Sequence, residues 1–348
     1  MVKILTYHEI DIQQWQELIE TSATATWFQT PEAYQFYVAN KEEMMPFAIG
    51  VEEDGHLTGV IVGYTTQERN PIKQLLTCRS IIIGGPLLDE HISNDALSAL
   101  LEMIGKESTG VADLQPAGRS TAKRSTGLSP IYIETRNFHD YSRWKEVFET
   151  CGFLYQPHYD IHVHCNATHT MSEQRIRQVK KAVKNGTEIC EAQSEQEIRD
   201  WYQILQQLYR EKVRTPLFSE EFFLRFYREI RGIYLLVKFQ GKVIGGMMCP
   251  ILNNKAIYEW YVCGLDEEYR ELYPSVMATY AAIEYAKAKG LPLFDFMGAG
   301  KPTVPYGVRD FKIEFGGKLA EYGRFLCIRK PLLYQIGKLW VRLLKYKY

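Results

Sequence analysis

The stretch FDFMGAGKPTVPYGVRDFKIEFGG, residues 294–317, decides how this chain is read. Its five glycines and two prolines forbid a regular helix or strand through most of it, so the chain must turn several times. Asp295 and Phe296 end an apolar strand, Gly298 and Gly300 let backbone approach a ligand, and Pro302 and Pro305 stiffen the path. The expectation is a loop that delivers Lys312, at the start of a following strand, to a binding site.

Working outward, 348 residues with 46% apolar and 24% charged side chains suit roughly two domains, each with a core. A net charge of −1 carries no global signal for nucleic acid and leaves only a local basic groove open. The seven cysteines (78, 151, 165, 190, 249, 263 and 327) stand singly, several in apolar runs where cysteine acts as a small hydrophobe, which reads as a reducing cytoplasm. MVKILTYHEIDIQQWQELIE is charged where a signal peptide needs an apolar segment, and no window approaches the ~18 apolar residues of a membrane span. A soluble protein, or at most one peripheral to the inner membrane face, is expected.

The elements alternate. Helices around Trp15 and over 33–39 precede a hairpin turning at Asp54-Gly55; SIIIGGPLL, a helix bearing Leu97, Leu100, Leu101 and Ile104, IYIETRNF, a helix at WKEVFETCGF and the strand DIHVHC complete the first half. Residues 106–130 lack periodicity and read as a loop. The second half repeats the grammar: the basic helix SEQRIRQVKKAVKNG, TEICEA, two helices, a hairpin turning at Gln240-Gly241, the strand AIYEWYVCG, the helix SVMATYAAIEYAKAKG and LFDFMG. Such repetition implies an α+β protein of two tandem domains, 1–165 and 166–325, with a cleft between them.

The order KKAVKNGTEI, KVIGGMM, YEWYVCG, AKAKGLPLFDFMGAG and YGVRDFKIEFGG resembles the Fem family of non-ribosomal peptidyl transferases, most densely over 175–324. The Phe-Lys-x-x-Phe-Gly-Gly signature of that family stands here as Phe311 to Gly317. The resemblance implies two fused GNAT-like acyltransferase folds in the compact form without a helical arm, with segment 326–348 returning to the first domain. It further implies an enzyme that moves an amino acid from aminoacyl-tRNA to an amine of a nucleotide- or lipid-linked peptidoglycan precursor, with no bound cofactor.

By the same resemblance, Lys312 stabilises negative charge on the reacting carbonyl oxygen and Phe311 shapes the site. An isolated lysine beside a hairpin would simply be solvated. Arg214 is the candidate for acceptor phosphates, since a guanidinium binds them bidentately. Tyr258 or Tyr261 matches a tyrosine that reaches the acceptor in relatives; core packing is the competing reading of that strand. Arg309 and Asp310 read first as a local ion pair, with Arg309 kept beside Asp295, Gly298 and Tyr306 among the loop's substrate-binding candidates. FQTPEAYQFYVANKE departs from the family, reaching a lysine only at Lys41, which weakens the case for a nucleotide-linked acceptor.

Arg175, Arg177, Lys180, Lys181 and Lys184 form the one dense basic segment; a solvated helix face and tRNA phosphate contacts by Arg177, Lys180, Lys181 and Lys184 are both open. His162-x-His164, with His158 and Asp160, places imidazoles on one strand face, but no further ligand stands at metal-site spacing, so a linking strand rather than a metal site is expected. In the tail RKPLLYQIGKLWVRLLKYKY, Leu332, Leu333, Ile336, Leu339, Trp340, Leu343 and Leu344 fall on one helical stripe flanked by Lys338, Arg342, Lys345 and Lys347. It reads as a helix packed on its own chain, with membrane contact as the rival.

Two other functions compete. One is an acyl-CoA N-acyltransferase using acetyl-CoA; CGLDEEYRELYPSVMATY, with acidic residues and a proline where a phosphate-binding glycine turn belongs, counts against it. The other is a non-catalytic carbohydrate or peptide binder on a transferase fold, for which Lys312 would be dispensable.

Overall fold

The computed structural model describes residues 1–68, 70–107, 129–165, 171–230 and 232–346. The chain forms two compact units, Met1–Pro157 with Tyr322–Tyr348, and His158–Glu321.

The first unit is built on one mixed sheet. Its strands run Val2–Thr6, Met44–Glu53, His56–Thr66, Arg79–Gly84, Tyr132–Asn137, Arg324–Ile328 and Leu154–Gln156 from edge to edge, with Leu87–Leu88 paired beside His56–Thr66. The hairpin turn has positive φ at both Asp54 (51°) and Gly55 (87°), the geometry whose twist matches two-residue hairpins. Helix Asn94–Glu107 buries Leu97, Leu100, Leu101 and Ile104 against Ile49, Ile61 and Ile82. This helix includes residues 106 and 107 of the expected loop; residues 108–128 lie outside the described ones. The returning strand Arg324–Ile328 is seated by Phe325, stacked on Phe148 at 4.0 Å, and by Glu134, held between Arg136 Nε at 3.0 Å and Arg324 Nη1 at 3.1 Å.

The second unit holds two sheets. One orders Tyr261–Gly264, Lys242–Cys249, Ile233–Phe239 and Thr187–Glu191; the other orders Ile251–Leu252, Ala256–Tyr258, Leu293–Asp295, Tyr159–His164 and Lys318–Glu321. Strand Tyr159–His164 therefore belongs here and not to the first half as its place in the sequence suggested, because both of its edges are taken by second-unit strands. The run AIYEWYVCG is two strands rather than one: Tyr258 ends the pairing with Asp295, Tyr261 begins the pairing with Met248, and Glu259-Trp260 carries the chain from one sheet to the other. Helix Pro274–Ala288 packs Val276, Met277, Ala281, Ile283 and Ala286 into the core formed with Leu235, Ile244, Met247 and Phe294. A substitution such as Ile283→Ala there costs on the order of 2–5 kcal/mol.

Candidate active site

Past Asp295 the chain leaves its strand and turns through Met297, Gly298 and Gly300, all at positive φ (56°, 123° and 79°). It then enters a helix over Gly307–Ile313, where a strand was expected to begin. Alternation of Phe311, Ile313 and Phe315 imitates a strand, but one helical turn brings Phe311 and Phe315 together, ring centroids 5.2 Å apart, and leaves Ile313 40% exposed. That turn carries Lys312 back under the loop, only 8% exposed. Its ammonium donates to the carbonyls of Phe296 (2.8 Å) and Gly298 (3.0 Å) and pairs with Glu259 Oε1 at 2.9 Å. Three donors thus meet three acceptors, so a reacting oxygen must take the place of one of them. Gly316 lies at φ 81°, and a Cβ on Gly317 would stand 2.2 Å from Ile161 Cγ2, which gives the signature's glycines a packing reason.

Glu259 sits at the crossing between the sheets, its amide donating to the Asp295 carbonyl at 2.9 Å. Burial pushes its carboxyl above the usual range against the pull of Lys312. Sequence reasoning passed over it; the available signal was an acidic residue inside the apolar run AIYEWYVCG, which demands a buried partner.

Beside the loop, Asp160, His162 and Asp295 are buried together, their inward ligand atoms within 4.8 Å of one another. His162 Nε2 lies 3.2 Å from Asp295 Oδ2 and 3.8 Å from Asp160 Oδ2. Asp160 Oδ1 accepts from the Gly298 amide and Asp295 Oδ1 from the Met297 amide, at 2.7 and 2.6 Å. Burial, reinforced by the charge of Asp295, pushes Asp160 up to about 8. Burial opposes a charged imidazole at His162, yet Asp295 and then Asp160 hold it at about 9. Asp295 is thus an internal group and not a surface for substrate, and His164 lies outside the cluster, exposed.

Both shifts make the folded chain hold protons that the unfolded chain loses: Asp160 between its ordinary 3.8 and about 8, His162 between 6.5 and about 9. Stability is therefore expected to fall as pH rises through these windows. Thermal melting from pH 5 to 9 checks this, and a wild-type decline that persists undiminished in a folded His162→Gln, Asp160→Asn double variant assigns it to other groups.

Arg309 does not pair with Asp310 among the described residues. Its guanidinium donates to the carbonyls of Ala299 (2.9 Å), Lys301 (2.6 Å) and Val304 (2.9 Å) and lies 5.0 Å from the Tyr159 ring centroid, so it ties the loop together. Tyr306 is 42% exposed and covers Gly300. The Phe311 ring lies under the Arg175 guanidinium at 4.4 Å, and Arg175 Nε meets Glu314 at 2.8 Å. Arg175 is therefore a buried strut and not part of a solvated basic face. On the outer face of helix Glu173–Lys184, Arg177 pairs with Glu173 at 3.7 Å and Lys181 with Glu271, while Lys180 and Lys184 are exposed.

Arg214 follows a π-helical turn over Tyr209–Val213 with φ 56° and faces an open hollow of about 340 Å³ shared with Tyr202, Gln206, Tyr209, Arg210, Thr215 and Leu217. Tyr261, half-buried, lies 6.2 Å from Tyr209 between ring centroids. Tyr258 is 1% exposed, so of the two tyrosines only Tyr261 is open to a ligand. At the start of helix Pro274–Ala288, Asp266 accepts from the Ser275 amide at 3.0 Å and from its hydroxyl. A smaller hollow of about 100 Å³ beside it is lined by Glu211, Asp266, Glu267 and Glu268 together with Lys212.

Residues 172–312 match the family model described as the acetyltransferase (GNAT) domain. The fold is similar to the crystal structure of FemX (TM-score 0.67, 14% identity, 96% of this chain and 99% of that one). It is also similar to the C-terminal domain of a putative lysylphosphatidylglycerol synthetase from Agrobacterium fabrum (0.55, 10%, 93% of each chain). A tandem GNAT protein from the clavulanic acid biosynthesis pathway aligns as well (0.53, 10%, 94% of this chain and 98% of that one). No curated protein matches by sequence. The chain has a tandem GNAT fold like that of FemX, and its second unit carries the acyltransferase domain.

Proposed function

We propose that this GNAT-type acyltransferase moves an amino acid from aminoacyl-tRNA to an amine of a peptidoglycan precursor peptide. The observation that carries the reading is Lys312, an ammonium held by Glu259 and two loop carbonyls inside the signature shared with the Fem family. In the reaction the acceptor amine attacks the ester carbonyl, the C–N bond forms, the C–O bond to the tRNA ribose breaks, and the amine's proton ends on the departing hydroxyl. As charge gathers on the carbonyl oxygen, that oxygen takes over one Lys312 N–H from a loop carbonyl, an interaction stronger in the transition state than in the ground state. Glu259 keeps the counter-charge fixed throughout. Arg214 and Arg210 on the hollow beside Tyr261 suit an acceptor phosphate, nucleotide- or lipid-linked.

The acetyltransferase description of the matching domain and the tandem GNAT neighbour favour acyl-CoA as a second reading of the donor. Against it, the amide at the helix start that would face a pyrophosphate is occupied by Asp266, with Pro274 lacking an N–H and Glu267 and Glu268 adjacent. Incubation with charged tRNA, acetyl-CoA and candidate muropeptides, followed by mass measurement, separates the two: one added aminoacyl residue supports the first reading, an acetyl gain installs the second.

The exposed Lys180 and Lys184, with Lys181, are assigned to tRNA phosphates. Replacing all three by Gln is expected to weaken tRNA binding and to reduce the slope of log affinity against log salt by roughly two to three. An unchanged slope means the face is only solvated.

No helix among the described residues is long and apolar enough to cross a membrane. The tail helix Pro331–Tyr346 packs Tyr334 on Tyr132 at 5.6 Å while Leu332, Ile336 and Leu339 are 82, 53 and 59% exposed. The side chains of Trp340, Arg342, Leu343, Leu344, Lys345 and Tyr346, together with residues Lys347 and Tyr348, lie outside the described part of the chain. The open apolar stripe supports peripheral contact with an anionic membrane carrying a lipid-linked acceptor. The full chain is expected to sediment with anionic vesicles and a chain ending at Lys330 is not; equal sedimentation of both removes the membrane role.

A further inference from the structure

We propose that Asp160, His162 and Asp295 are positioning residues for Lys312: the buried cluster fixes the Met297 and Gly298 amides and thereby the Phe296 and Gly298 carbonyls on which the ammonium rests. The inference rests on the reading of Lys312 as the group that meets the reacting carbonyl, and extends it to three side chains that touch neither substrate nor Lys312.

A core that needed only packing would not hold two carboxylates and an imidazole at 2, 0 and 6% exposure, since buried charge is costly unless each group is paired. Here each aspartate has its Oδ1 hydrogen-bonded to backbone and its Oδ2 within ion-pair distance of the imidazole. Each aspartate turns Oδ2 to the imidazole and commits Oδ1 to the loop, Asp160 to the Gly298 amide (2.7 Å) and also to its neighbour Ile161 (2.7 Å), Asp295 to the Met297 amide (2.6 Å). Of these two loop residues, Met297 stands at φ 56°, a conformation that a non-glycine residue keeps only where surroundings over-determine it, while Gly298 at 123° uses the freedom of glycine. The Met297 amide shares its peptide group with the Phe296 carbonyl that accepts from Lys312, while the Gly298 carbonyl is set through the Cα of the anchored Gly298 and by the Ala299 amide of its own peptide group, which donates to the Tyr159 carbonyl at 2.7 Å. Carboxylate, amide, carbonyl and ammonium are thus joined through one short loop, which Arg309 closes from the far side through the Ala299, Lys301 and Val304 carbonyls.

The charges around the imidazole balance this arrangement. His162 faces Asp160 on its own strand, Asp295 on the next and Lys318 opposite it on the third; Lys312 and Glu259 stand beyond the loop as a pair of their own. An imidazolium offsets Asp295, and the proton kept by Asp160 lies on Oδ2, because Oδ1 already accepts two amides. A metal ion is the weaker occupant: the cluster offers three inward ligand atoms, one short of a tetrahedral set, with almost no exposed surface through which water could supply the fourth. Loss of these protons leaves two carboxylates around a neutral ring, and their repulsion loosens the hold on Gly298.

The test uses the full chain and reads amide hydrogen exchange at Met297 and Gly298, the His162 ring titration by NMR, and turnover from pH 6 to 10. Asp160→Ala is expected to speed exchange at Gly298 by ~10-fold or more and to lower kcat by ~10-fold with KM little changed. Asp160→Asn, which keeps the accepting oxygen and cannot ionise, is expected to recover most of the protection and to move the alkaline fall in turnover to higher pH. Asp295→Asn is expected to return His162 toward the ordinary imidazole range. Exchange at Met297 and Gly298 unchanged in folded Asp160→Ala overturns the positioning role, as does an alkaline fall that stays in place in Asp160→Asn. Exchange needs no turnover, so these results stand apart from the catalytic reading itself, which fails if Lys312→Met keeps its rate.

Discussion

Replacing Lys312 by Met is expected to lower turnover by ~100-fold or more, the scale of removing one preorganised group from a developing oxyanion. The structure adds a complication and its remedy. Lys312 is buried against Glu259 at 2.9 Å, so the substitution also strands a carboxylate, and a fall in activity could reflect a softened fold. A chain carrying both Lys312→Met and Glu259→Gln removes both charges at once. It is expected to regain much of the stability lost in Lys312→Met, by thermal melting, while turnover stays low. If stability and turnover recover together, Lys312 is a structural lysine; a folded Lys312→Met with wild-type turnover leads to the same conclusion and favours a non-catalytic binder.

The second large effect is expected at Glu259 alone. Glu259→Gln leaves a buried ammonium with two carbonyls and no counter-charge, and breaking a buried pair in this way costs about 3–5 kcal/mol. The exposed pair Lys212–Glu267, with side chains 60 and 76% exposed, is the internal control, where Glu267→Gln should leave stability nearly unchanged. Denaturant unfolding of the two variants decides the matter: equal, small losses would show that the buried pair is not coupled as its geometry indicates.

What could be read from the sequence was mostly local. Asp54-Gly55 and Gln240-Gly241 announce hairpins because both central positions must take φ > 0, and both do: 51° and 87°, then 51° and 76°. Helices with a clear apolar face, such as Asn94–Glu107, follow from spacing alone. The helix at Gly307–Ile313 was misread because a short run alternating Phe311, Ile313 and Phe315 satisfies a strand pattern, and only the partners Arg175 and Phe296 select the helical one. Strand pairing hid the rest. His162 stood out beside His164 as an imidazole pair, but its real partner is Asp295, placed opposite it by an antiparallel register that no nearby spacing encodes. Likewise Glu259 acquires meaning only once the chain is seen to change sheets there.

The returning strand Arg324–Ile328 also fixes an order of assembly. It lies between Tyr132–Asn137 and Leu154–Gln156, so the first sheet has an open seam until that strand has been synthesised. A nascent chain whose emerged part stops before Arg324 offers a complete set of second-unit strands but leaves two first-unit strands with unpaired edges, the template on which another chain can add. The earlier-made unit is therefore the later to close, and while the ribosome translates the intervening residues it is the half that most needs shielding from its neighbours on a polysome.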